Sequence, residues 1–130
     1  MNQSMREMVA TLVELSEDKR EAMMSERLKL FAGQSDEERR MGMKMMLDAA
    51  LELSEEKYAT LAETRIKLVS DFNPEDRMKL MNTHVSLVKE LPQELREKEM
   101  KTVLSVVSKL PGEKRRMMME MMDKAGMMGP

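Results

Sequence analysis

A repeat of nineteen residues constrains this chain more than any other feature of its sequence. In six copies, a small polar residue or a proline stands just before an acidic cluster: Ser16, Ser35, Ser54, Asn73, Pro92 and Pro111. Two residues further on, every copy has Asp or Glu, and two residues beyond that five of the six copies have Arg. Copies this short cannot bury an apolar stripe alone, so they must stack on one another.

Apolar columns give each copy a helical character. Met follows the Arg position by four residues in five of the six copies, and aliphatic residues follow four and seven residues after the Met position. This spacing is one stripe of an α-helix, whereas a strand would need sustained alternation. We predict that the first aliphatic column is buried and faces one continuous core: Leu28, Leu47, Ile66, Val85 and Leu104.

The copies also carry signals for helix starts. Ser and Asn side chains can accept hydrogen bonds from the free N–H groups of a first helical turn, and Pro74 suits the first helical position. The acidic column then lies in the first turn, where it interacts favourably with the helix dipole. The sequence predicts seven helices with connections of two or three residues: 3–14, 17–32, 36–52, 55–71, 74–90, 93–109 and 113–125.

These elements predict an all-α fold in which helices that follow one another along the chain are antiparallel. Two copies make a 38-residue helical hairpin, which is in the size range of α-solenoid units. We predict a short right-handed superhelix, with a compact helical bundle as the alternative. The whole chain, 1–130, is expected to be one helical-repeat domain with a flexible tail at 126–130.

Composition limits the chemistry that this fold can carry. The 130 residues include no Cys, one His and 2% aromatic residues, and the net charge is −2. We expect no enzymatic activity, no metal site and no cofactor, and we expect His84 to be structural. Nucleic-acid binding is disfavoured because basic segments are interleaved with acids and aromatic platforms are scarce. Without a membrane span or a signal-peptide pattern, a cytoplasmic protein is expected.

Nineteen Met residues allow two interpretations. Most of the Met residues in the repeat fall on the apolar stripe, where Met is an adaptable core filler. Because thioethers are soft ligands, a Met-lined carrier of a hydrophobic ligand or of a soft metal such as Cu(I) is the alternative. Met residues off the stripe, among them Met41 and Met45, are expected to be exposed.

The fourth copy departs from the pattern, with Tyr58 at the Arg position and Ala62 at the Met position. We predict that Tyr58 leans over the gap left by the shorter Ala62. In the other copies, stacking could pair each Arg with a neighbouring acid in a ladder along one edge. The fourth copy would interrupt that ladder.

The last helix is the predicted contact surface. Five Met residues within six positions cover more than half of its circumference: Met117, Met118, Met119, Met121 and Met122. That is more than one buried stripe needs, and exposed apolar patches tend to mark contacts. The sequence predicts a non-enzymatic protein–protein interaction or scaffold module, which binds a protein partner or a second copy. The candidate partner-binding residues are Met117, Met121, Met127 and Met128, unless the helix folds back and buries both faces.

Overall fold

The computed structural model describes residues 2–126, and every regular element in that range is an α-helix. The helices are α1 (Asn2–Glu14), α2 (Glu17–Gly33), α3 (Asp36–Leu51), α4 (Glu55–Ser70), α5 (Pro74–Lys89), α6 (Gln93–Ser108) and α7 (Gly112–Lys124). From α3 onward, each helix begins nineteen residues after the one before it. The predicted all-α fold is confirmed, and every predicted helix boundary agrees to within one residue.

Helix starts follow the chemistry of the first repeat position. The side chains of Ser35, Ser54 and Asn73 each accept a hydrogen bond from the backbone N–H group three residues further on. Pro92 and Pro111 occupy the same position with extended backbone, directly before the first helical residue. In five copies a capping side chain or the fixed φ of proline therefore marks the helix start, whereas the Ser16 side chain makes no capping hydrogen bond at the start of α2.

The helices pack by a regular rule, in which each helix contacts the second one along the chain. These contacts join α1 to α3, α2 to α4, α3 to α5, α4 to α6 and α5 to α7. Successive helices also contact each other, and α2 additionally contacts α5. Later helices thereby cover the apolar stripes of earlier ones, as in stacked repeats. This packing is consistent with both a solenoid-like array and a helical bundle.

The apolar columns are buried except where a covering helix is missing. Leu28, Leu47, Ile66 and Val85 are buried, whereas Leu104 is 37% exposed. The prediction for Leu104 is wrong because Leu104 lies on α6, and residues 2–126 contain no helix two places after α6. The neighbouring column is buried in every copy: Phe31, Ala50, Val69, Val88 and Val107.

Buried side chains form two clusters, not the single continuous core that was predicted. One cluster draws its side chains from α1 to α5, and the other from α4 to α7. Helices α4 and α5 contribute to both clusters and so form the junction between them. The Met column lies mainly in this interior, because Met24, Met43 and Met81 are buried.

Candidate interaction surfaces and the buried polar cluster

Helix α7 buries part of the surface that was predicted to be exposed. Met118, Met121 and Met122 are buried in the second cluster, and Met117 is partly buried against it. The predicted exposure of Met121 is wrong because α7 contacts both α5 and α6, so two of its faces are covered. Met127 and Met128 lie outside the described residues. Of the four candidate partner-binding residues, Met117 is the one described as partly accessible.

Large apolar side chains are exposed elsewhere on the described surface. They are Met23 (47%), Leu30 (54%) and Met41 (63%), in addition to Leu104. The predicted exposure of Met41 is confirmed, whereas Met45 is partly buried. The exposed large apolar side chains therefore lie on α2, α3 and α6, and not on α7.

Met23 and Leu30 lie seven residues apart on α2, and their repeat columns explain why they are exposed. Most of the equivalent apolar residues in later helices are buried: Leu61, Leu80 and Met118 in the Met23 column, and Ala49, Leu87 and Val106 in the Leu30 column. Burial in these columns increases along the chain, so preceding helices provide the cover. Only α1 precedes α2 in the described chain. We name Met23 and Leu30 the N-terminal end face.

Leu104 shows the opposite trend. Its column is buried from α2 to α5 and becomes exposed in α6, so following helices provide the cover. The Met column behaves in the same way, since it is buried from α2 to α5 while Met100 and Met119 are only partly buried. We name Met100, Leu104 and Met119 the C-terminal end face.

The Arg column stabilises the end of the preceding helix. Arg20, Arg39 and Arg77 each donate to the backbone carbonyl five residues earlier, at 2.8, 2.9 and 3.0 Å. Arg39 also donates to the Phe31 carbonyl at 3.0 Å and pairs with Asp36 on its own helix. The Leu15, Gln34 and Phe72 carbonyls follow the last helical residue, so the guanidinium groups supply donors there, whereas the Phe31 carbonyl also accepts from the Gln34 N–H group at 3.2 Å. The predicted ladder of Arg–acid pairs between copies is wrong for these three residues.

Lys98 takes over this role where the Arg is missing. Its Nζ atom donates to the Leu53 carbonyl at 2.8 Å and to the Leu51 carbonyl at 3.1 Å. Leu53 lies five residues before Tyr58, so Lys98 reaches the carbonyl that an Arg at position 58 would reach. The same Nζ atom lies 5.7 Å from the centre of the Tyr58 ring. A cation from α6 thus completes the end of α3.

Tyr58 is buried, as predicted, and lines a small cavity together with Ala62. Its hydroxyl donates to the carboxylate of Glu99, which is 0% exposed. Arg65 donates to the same carboxylate oxygen at 3.3 Å, and His84 Nε2 lies 3.3 Å from the other oxygen. These four side chains come from α4, α5 and α6, and they form a polar cluster at the junction of the two apolar clusters.

Electrostatics in this cluster favour an ionised Glu99. Burial alone would raise the pKa of the Glu99 carboxyl, but His84 and Arg65 outweigh burial and hold that pKa below its usual range. Burial raises the pKa of the Tyr58 hydroxyl above its ordinary value, so Tyr58 stays a hydrogen-bond donor. The Glu99 carboxylate also raises the pKa of Arg65, against the effect of burial. The cluster is therefore built around a buried negative charge.

Two small cavities adjoin the cluster and share Leu28, Met43, Arg65 and His84 in their walls. Their volumes are about 40 and 60 Å³, and their linings are mainly Met and aliphatic side chains. By the usual requirement of roughly 10–15 Å³ per water molecule, each has room for only a few water-sized groups. Neither cavity is large enough for a lipid chain in this conformation.

The two basic segments of the sequence, at residues 39–44 and 114–116, are neutralised in part, and Arg115 and Arg116 are exposed. Arg39 is buried, Arg40 pairs with Glu90, and Lys44 pairs with Asp48. In the C-terminal segment, Lys114 pairs with Asp71 at 2.7 Å. These ion pairs with carboxylates of the same chain neutralise positive charge, which disfavours a continuous phosphate-binding surface.

Sequence reasoning missed Glu99, Arg65 and Lys98. A signal for Glu99 was present, because its repeat column is otherwise Met, Gly or Leu from α2 to α7. An acid in an apolar column indicates a buried carboxylate that needs partners. Nothing comparable marked Lys98, whose column contains Ala, Met, Thr and Lys.

Other functional signals are few. Within residues 2–126, no helix is long and apolar enough to cross a membrane. That same stretch places no three His, Asp or Glu side chains so that they could hold a metal ion. No protein-family model, curated protein or solved structure matches the chain.

Proposed function

We propose that this protein is a non-enzymatic interaction module, in which the helical repeat presents the ends of its array to another protein. The observation that carries the proposal is the exposure of repeat columns at the ends alone. Leu30 and Leu104 belong to columns that are mainly buried elsewhere, and each is exposed where residues 2–126 contain no helix two places before α2 or two places after α6. A helix from a partner can supply the missing cover, since apolar grooves between helices accept amphipathic helices.

The alternative of a Met-lined carrier has less support from the geometry. The two Met-lined cavities hold only a few water-sized groups, and His84 and Arg65 at their shared wall already face Glu99. A carrier would need the Met side chains to rearrange before a ligand could enter. An interaction surface needs no such change.

Site-specific photo-crosslinking in the source cells tests the proposal. A photoreactive amino acid is placed at Leu30 or Leu104, and in a matched control at Met41, which is more exposed but lies outside both end faces. We expect covalent protein adducts from positions 30 and 104, identified by mass spectrometry, and few from position 41. Equal adduct yields at all three positions, or none at the end faces, would reject the proposal.

A further inference from the structure

The two end faces belong to two repeat columns that the fold brings into the same apolar clusters. The columns of Leu104 and Leu30 share the first cluster through Leu28 on α2 with Leu68 on α4, and through Leu47 on α3 with Leu87 on α5. Those columns are apolar and mainly buried between α3 and α5. In each of the five pairs of contacting helices two places apart, the Leu104-column residue of the earlier helix and the Leu30-column residue of the later helix belong to the same apolar cluster.

We propose that the N-terminal end face of one molecule packs against the C-terminal end face of a second copy, so that the array continues from chain to chain. This inference rests on the proposed function and names its partner. The second copy is the occupant because its first helices carry the same repeat columns, and residues 2–126 contain no helix two places after α6 or α7. A head-to-tail contact leaves an unused end face on each terminal molecule, so it produces open chains of molecules unless its rotation closes a ring.

Charge does not oppose this contact. Residues 2–33 carry five basic and six acidic side chains, whereas residues 93–124 carry eight basic and six acidic ones. The first end is therefore slightly negative and the second slightly positive, which favours contact between unlike ends over contact between like ends. Two like ends would bring charges of one sign together.

At each end, the outermost helix also carries exposed polar residues in the columns of the end face, which limits the strength of the contact. In α1, Ser4 and Thr11 occupy the columns of Met23 and Leu30, and both are exposed. In α7, Asp123 occupies the column of Leu104 and is exposed as well. Polar residues at the ends of repeat arrays keep molecules apart. We therefore expect reversible association that depends on concentration.

Sedimentation velocity of the purified full chain over a concentration series tests this inference. For the wild type, we expect the sedimentation coefficient to rise with concentration through dimers to longer species. Leu30→Glu removes one end face and Leu104→Glu removes the other, and each variant alone should associate at least tenfold more weakly. Met41→Glu, which makes the same chemical change outside the end faces, should behave as the wild type does.

An equimolar mixture of Leu30→Glu and Leu104→Glu gives the sharpest result. Each variant keeps the end that the other has lost, so the mixture should form a dimer and stop there. A symmetric contact between like ends predicts instead that one variant still dimerises alone and that mixing restores nothing. That outcome would overturn the head-to-tail arrangement.

Two controls keep the result interpretable. Circular dichroism and thermal unfolding establish that each variant is folded, and Met23→Glu is the second variant for the N-terminal end face. A wild type that stays monomeric at every concentration overturns this inference. Crosslinks from positions 30 and 104 to a different protein would leave the proposed function standing, because that experiment reads partner contact and not self-association.

Discussion

Helices α3 and α4 begin with the same repeat pattern, yet the ends of the helices before them are stabilised differently. At α3, Arg39 donates to the carbonyls of Phe31 and Gln34 at the end of α2. At α4, Tyr58 faces Glu99, and Lys98 from α6 supplies the donor for the end of α3. The repeat position therefore serves a backbone requirement that a distant side chain can also meet.

The two solutions differ in what they join. Arg39 links two successive helices, whereas Lys98 and Glu99, adjacent on α6, link that helix to α3, α4 and α5. The departure in the fourth copy thus exchanges a local contact for long-range contacts at the junction of the two apolar clusters. An irregular copy in a repeat can therefore supply the contacts that join distant parts of the array.

Removing the long-range contacts of Glu99 should have the largest effect on stability. Glu99→Ala removes the carboxylate that Tyr58, Arg65 and His84 face, and leaves their polar groups without it. We expect a loss of about 3–5 kcal/mol in the free energy of unfolding, measured by urea denaturation. Glu97→Ala, on the exposed side of α6, is the control and should change stability by less than about 0.5 kcal/mol. Similar losses of stability from both variants would contradict the conclusion that the buried cluster stabilises the fold.

Substitutions at two members of the Arg column test the local contacts between successive helices. Arg39 is buried and bonded to two carbonyls, whereas Arg96 is exposed. Arg39→Ala should cost about 2–4 kcal/mol of unfolding free energy. The substitution removes charge-assisted hydrogen bonds and leaves the backbone carbonyls without the guanidinium donor. Arg96→Ala should stay within about 0.5 kcal/mol of the wild type. A comparable cost at both positions, measured by chemical denaturation, would mean that carbonyl capping does not explain the column.

A double-mutant cycle tests whether Lys98 replaces the Arg that the fourth copy lacks. Lys98→Met keeps the aliphatic stem and removes the donor to Leu51 and Leu53, which should cost about 1–2 kcal/mol. Tyr58→Arg restores the residue that the other copies carry, and its guanidinium can reach the same carbonyls. In that background, Lys98→Met should cost less than half as much. An unchanged cost would show that Lys98 does not replace the missing Arg.

The dependence of stability on pH gives the smallest and most specific effect. The pKa of Glu99 in the folded protein lies below its value in the unfolded chain, so its ionisation stabilises the fold above about pH 4.3. That stabilisation is lost as the pH falls towards the folded pKa, by at most about 1.4 kcal/mol per pH unit. Glu99→Gln cannot lose this proton-linked contribution. Between pH 5 and pH 3, the stability of the wild type should fall more steeply than that of Glu99→Gln, and parallel curves would contradict this.

The repeat alone contained enough information to predict part of the buried polar cluster. An acid at position 99 in an apolar column indicated a buried charge, and Tyr58 and Ala62 marked the irregular copy. Their partners could not be identified in this way, because Lys98, Arg65 and His84 lie at positions that tolerate many residue types. The exposed ends were missed for a different reason. The pattern that predicts a buried Leu104 describes the stripe on α6 and contains no information about the helix that should cover it.

Local chemistry in the sequence determined where each helix begins and ends and which stripe is apolar. Capping side chains, proline and a 3.6-residue period act over a few residues, so they can be read without the rest of the chain. Only the tertiary structure decided that α7 buries Met121, that Leu104 stays exposed, and that Lys98 completes the end of α3. These outcomes depend on which helices are neighbours, and burial and hydrogen bonding across forty residues are set by packing and not by local propensity.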